Sequence, residues 1–263
     1  MKSCIRSLSS RDRSEVGYRV RIILCCMIVT AMVPTLIENI NEYWFYWNAL
    51  QKSTDMSGFA FFIAADMNTY AQSVFNTLGV KLTACVLVAG IGSYYSTVLA
   101  NGNISGWNSY LRTLPVTPVM RAKAMLCSRG MIFVLSTVGV AALSCTVGWI
   151  AIDASFAKNL LRCVIVTSLV IETADLLVNS LIVRWVLRAD KKHAQNLSVL
   201  AGFIPSLILA YLLGGMCPDH LAWSDYMAGF SFDFRWALWL LVILLLNFLG
   251  CKLLIKNLKD HFE

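Results

Sequence analysis

The stretch NISGWNSYLRTLPVTPVMRAKAM, Asn103 to Met125, separates two strongly apolar segments of the chain. It holds a tryptophan, a tyrosine, two prolines and three basic residues, and no acid. Trp107, Tyr110, Leu111 and Leu114 recur at i, i+3, i+4 and i+7, which is one face of a helix. Asn108 and Arg112 fall away from that face. Ser105 is a suitable N-cap for this helix. Pro115 ends it, because the residue before a proline is driven out of the α region. Thr117 then caps a second helix, with Pro118 at its first position. The stretch predicts a short amphipathic helix, an elbow at Pro115, Thr117 and Pro118, and a long helix beyond.

The segments on either side decide the class. The chain has 263 residues, 58% hydrophobic and 14% charged, with a mean hydropathy of +0.66. A soluble domain carries about a quarter charged residues. Several segments approach the roughly 20 apolar residues that cross a bilayer. They are continuous rather than alternating, which argues against an outer-membrane barrel. The reading is an all-α membrane protein, a single polytopic domain over residues 1–263. Its six spans lie at about 20–37, 78–99, 124–150, 160–186, 197–213 and 236–255. The fourth is long, about 40 Å at 1.5 Å per residue, so it tilts or projects.

Lysine and arginine set the orientation. The N-terminal segment carries Lys2, Arg6, Arg11, Arg13, Arg19 and Arg21, and the second-to-third connection Arg112, Arg121, Lys123 and Arg129. The fourth-to-fifth connection carries Arg184, Arg188, Lys191 and Lys192, and the C-terminal segment Lys252, Lys256 and Lys259. Seventeen of the 22 basic residues thus fall on one side of the alternation. Both termini are expected in the cytoplasm, and so is the amphipathic helix between spans two and three. The net charge of +7 follows from this asymmetry. It implies anionic lipid headgroups rather than nucleic acid. The first span reads as a signal anchor, since its basic leader is long and no small-residue cleavage site follows.

Other chemistry is sparse. Nine cysteines form no disulfide or zinc pattern, and those in the spans act as small apolar fillers. His193, His220 and His261 are scattered, so no metal site is expected. No phosphate loop, nucleophile elbow or H-E-x-x-H motif is present, which argues against an enzyme. The aromatics Tyr43, Trp44, Phe45, Tyr46 and Trp47 suit the headgroup level of an outer loop. A short apolar patch at 59–65 reads as an interfacial or re-entrant turn. The glycine pair and Pro218 of GGMCPDHLAW break any helix before the sixth span.

The fourth span carries acids near its middle. Ser168, Glu172, Asp175 and Asn179 fall at i, i+4, i+7 and i+11, one helical stripe. An acid at the bilayer centre costs about 2.5–3.5 kcal/mol on insertion scales. The stripe therefore faces protein or water. It reads either as a wall of a translocation path or subunit interface, or as a structural polar seam with its acids protonated or paired.

In its residues the opening stretch resembles the permease subunits of ABC-2 type transporters. Many of these carry W-x-x-Y-x-x-x-L-P-V-[ST] and then a basic helix start with A-K. The matching positions are Trp107, Tyr110, Leu114, Pro115, Val116, Thr117, Ala122 and Lys123. The likeness covers about 20 residues, with the six-span layout around them. Family members often have acids just before the tryptophan; Asn101 to Gly106 has none. The resemblance implies an exporter in the cell membrane, with a second permease subunit as homo- or heterodimer. A separate cytoplasmic ATPase subunit would bind ATP and Mg, and this chain would hold no cofactor. It implies that Trp107, Tyr110, Leu111, Arg112 and Leu114 dock the ATPase and that Pro115 transmits its motion. A cationic peptide or other amphiphile would suit the stripe and the outer side of the alternation, which holds Glu38, Glu42, Asp55, Asp66, Asp153, Asp219, Asp225 and Asp233. The competing reading is a non-transporting immunity or sensor protein that binds a peptide or partner helix, with the amphipathic helix lying on lipid.

Overall fold

A computed structural model describes residues 81–88, 94–113, 117–151, 154–188, 192–216 and 234–262, together with Leu8 and isolated positions between Val33 and Asn48. The expected first span except Val33 and Ile37, the patch at 59–65, Leu114, Pro115, Val116 and the segment 217–233 lie outside the described residues. So do most of the aromatic run and the side chains of Arg112 and His193.

All regular structure in the described residues is helical. A helical stretch at 81–88 precedes α1 (Tyr94–Ile104), α2 (Trp107–Thr113), α3 (Pro118–Ala151), α4 (Ala154–Arg188), α5 (Lys192–Gly215) and α6 (Phe234–Phe262). The helices outrun the apolar segments that mark them. α3 begins six residues before the expected third span, because its start is set by a cap rather than by hydropathy. The Thr117 hydroxyl accepts a hydrogen bond from the Met120 amide at 3.2 Å. The Thr117 carbonyl accepts from Arg121 at 3.1 Å. Together these satisfy the open end that every helix presents.

α4 is the central element and packs against α1, α3, α5 and α6. Its contacts give the directions of its neighbours. Positions that meet between α3 and α4 advance in opposite senses, Arg129 with Glu172 and Cys145 with Ala157, so this pair is antiparallel. Those between α4 and α6 advance together, Thr173 with Asn247 and Ser180 with Asn257, so that pair is parallel. Glycines permit the closest approaches. A Cβ on Gly202 of α5 would collide with Asn179 and Ile182, and one on Gly250 of α6 with Leu176. Small residues serve helix interfaces in this way where apolar burial offers little drive.

The core forms two apolar layers along α4. One joins Cys163, Val166, Val170, Ile171 and Ala174 to Leu87, Val88, Ala210, Leu213, Trp236, Trp239 and Ile243. The other joins Leu176, Val183, Val186 and Leu187 to α1, to Ala122 and Met125 of α3, and to Leu254 and Leu258 of α6. Burial is inverted relative to a soluble bundle. Thr167, Ser168, Thr173, Asp175, Asn179 and Ser180 of α4 are buried, while Leu135, Val138, Ile208, Leu212, Leu241 and Leu245 are more than half exposed. Apolar faces of this extent need lipid or a partner to cover them. By length and composition, Pro118–Ile150 and Phe234–Lys259 can cross a membrane. α4, whose middle carries Glu172 and Asp175, is not in that class.

Candidate functional site

Two arrangements combine polar side chains across several helices. The first lies between the two apolar layers. Arg129 sits eleven residues into α3, about 17 Å along its axis. One guanidinium nitrogen pairs with Glu172. The other donates to Asp175 at 2.9 Å and to the Glu172 carbonyl at 3.2 Å. The ring of Tyr95 on α1 lies 5.2 Å from the guanidinium carbon, within cation–π range. Asn179 donates to Asp175 at 2.8 Å and reaches Ser206 of α5 at 3.4 Å. Nearby, Asn247 of α6 donates to Thr173 at 2.6 Å. Arginine suits this site because its planar fork serves two carboxylates at once.

The formal charge of the cluster is one positive against two negative. Arg129 and Asp175 are almost fully enclosed, with 2% exposure each. Such a group forms only if the partners close on one another, because unpaired charge in a dry interior is costly. By charge pattern Arg129 belongs with Arg112, Arg121 and Lys123 to the basic connection before the third expected span; in the structure its side chain is buried among the helices, and that of Arg121 is buried too. A signal for Arg129 was present, since it lies inside the apolar run that defines the third span. A buried cation at that depth requires an acid, and among the described residues Glu172 and Asp175 are the acids on the helix that faces it. Of the four stripe residues, Glu172, Asp175 and Asn179 join the cluster. Ser168 does not: it is buried, and its hydroxyl donates to the Val164 carbonyl of its own helix at 2.7 Å.

The second arrangement is the corner between α1, α2 and α3. Gly106, at φ 69°, turns the chain from α1 into α2, a left-handed conformation that glycine adopts without strain. The first bond of α2 runs from the Tyr110 amide to the Gly106 carbonyl at 3.0 Å. Gly106 therefore occupies the N-cap position expected for Ser105. The Ser105 hydroxyl instead donates back to the Gly102 carbonyl at 3.4 Å.

The faces of α2 also differ from the periodic reading. Tyr110 is 52% exposed, whereas Leu111 is 2% exposed and packs with Leu8 and Ala124. Trp107 is half-buried against that cluster, with its ring 5.4 Å from Tyr110. Asn108 points inward, not outward. It donates to the Leu99 carbonyl at 2.8 Å and to the Asn103 side chain at 2.6 Å. Those bonds turn the helix, because a buried amide with two acceptors is worth more inside than in water. Of the residues expected to dock a partner, Tyr110 is open, Trp107 partly so, and Leu111 belongs to the interior.

Compared with known proteins, the chain matches no protein-family model, no curated protein and no solved structure. The geometry of these two arrangements therefore carries the functional reading.

Proposed function

We propose that the chain is the membrane-spanning permease subunit of an ATP-driven exporter of the ABC-2 type. In this reading it has six spans, lies in the cell membrane with both termini in the cytoplasm, and pairs with a second permease subunit. A separate ATPase, which binds ATP and Mg, docks from the cytoplasm. The observation that carries the proposal is α2, a seven-residue helix bounded by Gly106 and by the connection to Thr117. It presents the Tyr110 and Trp107 rings at one corner of the bundle. The alternating directions of α3 and α4, with α6 parallel to α4, also suit successive crossings.

The work of the chain would start at α2. Closure of the ATPases presses on its open face at Ser109, Tyr110 and Thr113. The short connection through Pro115 passes that displacement to α3, since proline has a fixed φ and flexes little. α3 carries Arg129, and Arg129 holds Glu172 and Asp175 of α4. A shift of α3 is thereby delivered to the polar centre of the bundle. The export direction and an amphiphilic or peptide substrate follow from the resemblance of the Trp107–Lys123 stretch.

The test is purification of the tagged chain from native membranes in mild detergent, with identification of co-purifying proteins. A stoichiometric ATPase that is lost in the Tyr110→Ala variant supports the proposal. A chain that purifies alone, with no vanadate-sensitive ATPase activity, sinks it and favours the non-transporting sensor or immunity reading.

A further inference from the structure

α2 is joined to α3 by the chain itself. Its polar connection to α4 is made by two asparagines, Asn108 of α2 and Asn103 of α1, beside the apolar packing of α1 on the same end of α4. The last carbonyls of any α-helix lack partners within the helix. At the end of α4 the Asn103 amide donates to two of them, the Val186 oxygen at 3.3 Å and the Leu187 oxygen at 3.4 Å. The Asn103 oxygen accepts from Asn108 of α2 at 2.6 Å, and the same Asn108 amide donates to the Leu99 carbonyl at 2.8 Å. Each amide has one orientation that satisfies this series. Reversing either one sets like dipoles against each other, and a buried mismatch costs about 1–3 kcal/mol. Space for it is provided by Gly102, where a Cβ would collide with the Asn108 amide.

We propose that Asn103 and Asn108 are positioning residues that tie α2 to the cytoplasmic end of α4, so that a push on α2 moves α3 and α4 as one body. The inference rests on the coupling role proposed for α2. Its physical content concerns the ion cluster. Arg129 stands on α3 and its acids on α4. If the push reached α3 alone, α3 would slide against α4 and pull Arg129 away from Glu172 and Asp175 inside a dry interior. With α4 tied to the same short helix, both sides of the cluster travel together and the pairs stay closed. Without the tie, α2 would still respond to its partner, but the end of α4 would follow only through the apolar packing of α1 and α3 against it.

The experiment places a reporter cysteine at Ser109 or at Arg188, both exposed, in the full chain in native membranes. A water-soluble maleimide reads each rate above the background of the native cysteines. Rates are compared with and without Mg-ATP plus orthovanadate. In the parent chain, trapping changes the rate at both positions. In Asn103→Asp, which keeps the size but loses the donor, the Ser109 response persists. The Arg188 response there falls about fivefold or more, the lower range of typical coupling between sites. Gly102→Ala displaces Asn108 without altering either amide and gives the same split if Asn103→Asp fails to accumulate. An Arg188 response that survives in these variants overturns the tie. A parent chain whose Ser109 rate ignores nucleotide removes the coupling role itself, and the tie with it.

Discussion

Replacing Arg129 by methionine keeps much of the side-chain volume and deletes the only positive charge of the cluster. Glu172 and Asp175 then face each other one helical turn apart, in a region where the side-chain exposures of Arg129, Glu172 and Asp175 are 2%, 15% and 2%. Breaking a buried pair by removing one partner costs about 3–5 kcal/mol. Loss of the contact with the buried Tyr95 ring adds about 2 kcal/mol, the range for a desolvated pair. For a chain of this size each kcal/mol moves Tm by about 2–4 °C, so Arg129→Met lowers Tm by about 10 °C or more. Adding Glu172→Gln and Asp175→Asn to the same chain removes the stranded charges. Because a neutral replacement of a whole buried ion group is often tolerated, the triple variant recovers most of the loss. The assay is thermal unfolding of the purified protein in mild detergent, followed by fluorescence of its eight tryptophans. A single variant as stable as the parent, or a triple variant no better than the single, would refute the account of the cluster as a closed ion group. The same reasoning governs tests of transport. Removing both acids alone strands Arg129, so Glu172→Gln by itself, which leaves the Arg129–Asp175 pair, is the cleaner probe of a role in the translocation path.

Leu111→Ala and Tyr110→Ala separate packing from docking. Leu111→Ala deletes a buried side chain and costs about 2–5 kcal/mol, read as a fall in Tm. Tyr110→Ala stays within about 0.5 kcal/mol and, if the proposed ATPase partner docks there, lowers its co-purification. Thr117→Ala removes the cap of α3 and costs about 1 kcal/mol, measured by the same thermal assay; an unchanged Tm would show that the cap contributes nothing. Gly250→Leu forces a side chain into Leu176 and destabilises by about 1–3 kcal/mol or more, whereas the same change at Gly139, which faces open space, leaves Tm near the parent value.

Local rules made much of this protein legible in one dimension. The apolar runs locate α3, α4, α5 and α6, because burying a backbone in an apolar setting obliges it to be helical. The elbow residue Thr117 acts through bonds to neighbours three and four positions away, and Pro118 fills the first helical position with its fixed φ, which is why the start of α3 is readable. The acids of α4 were visible as a stripe for the same reason, since spacing on one helix is a property of the helix alone.

What pairs with that stripe was decided between helices. Arg129 reads as one more cation of a basic connection until α3 is laid antiparallel on α4, and then it becomes the partner of both acids. Asn108 lies on the polar side of a helical wheel, yet it turns inward because Leu99 and Asn103 of another helix wait there with acceptors. Leu111 joins the exposed face by periodicity and the core by contact. Periodicity assigns residues to faces of an isolated helix. Only the tertiary structure decides which face is inside, because that depends on where unsatisfied carbonyls and unpaired charges of neighbouring helices are brought.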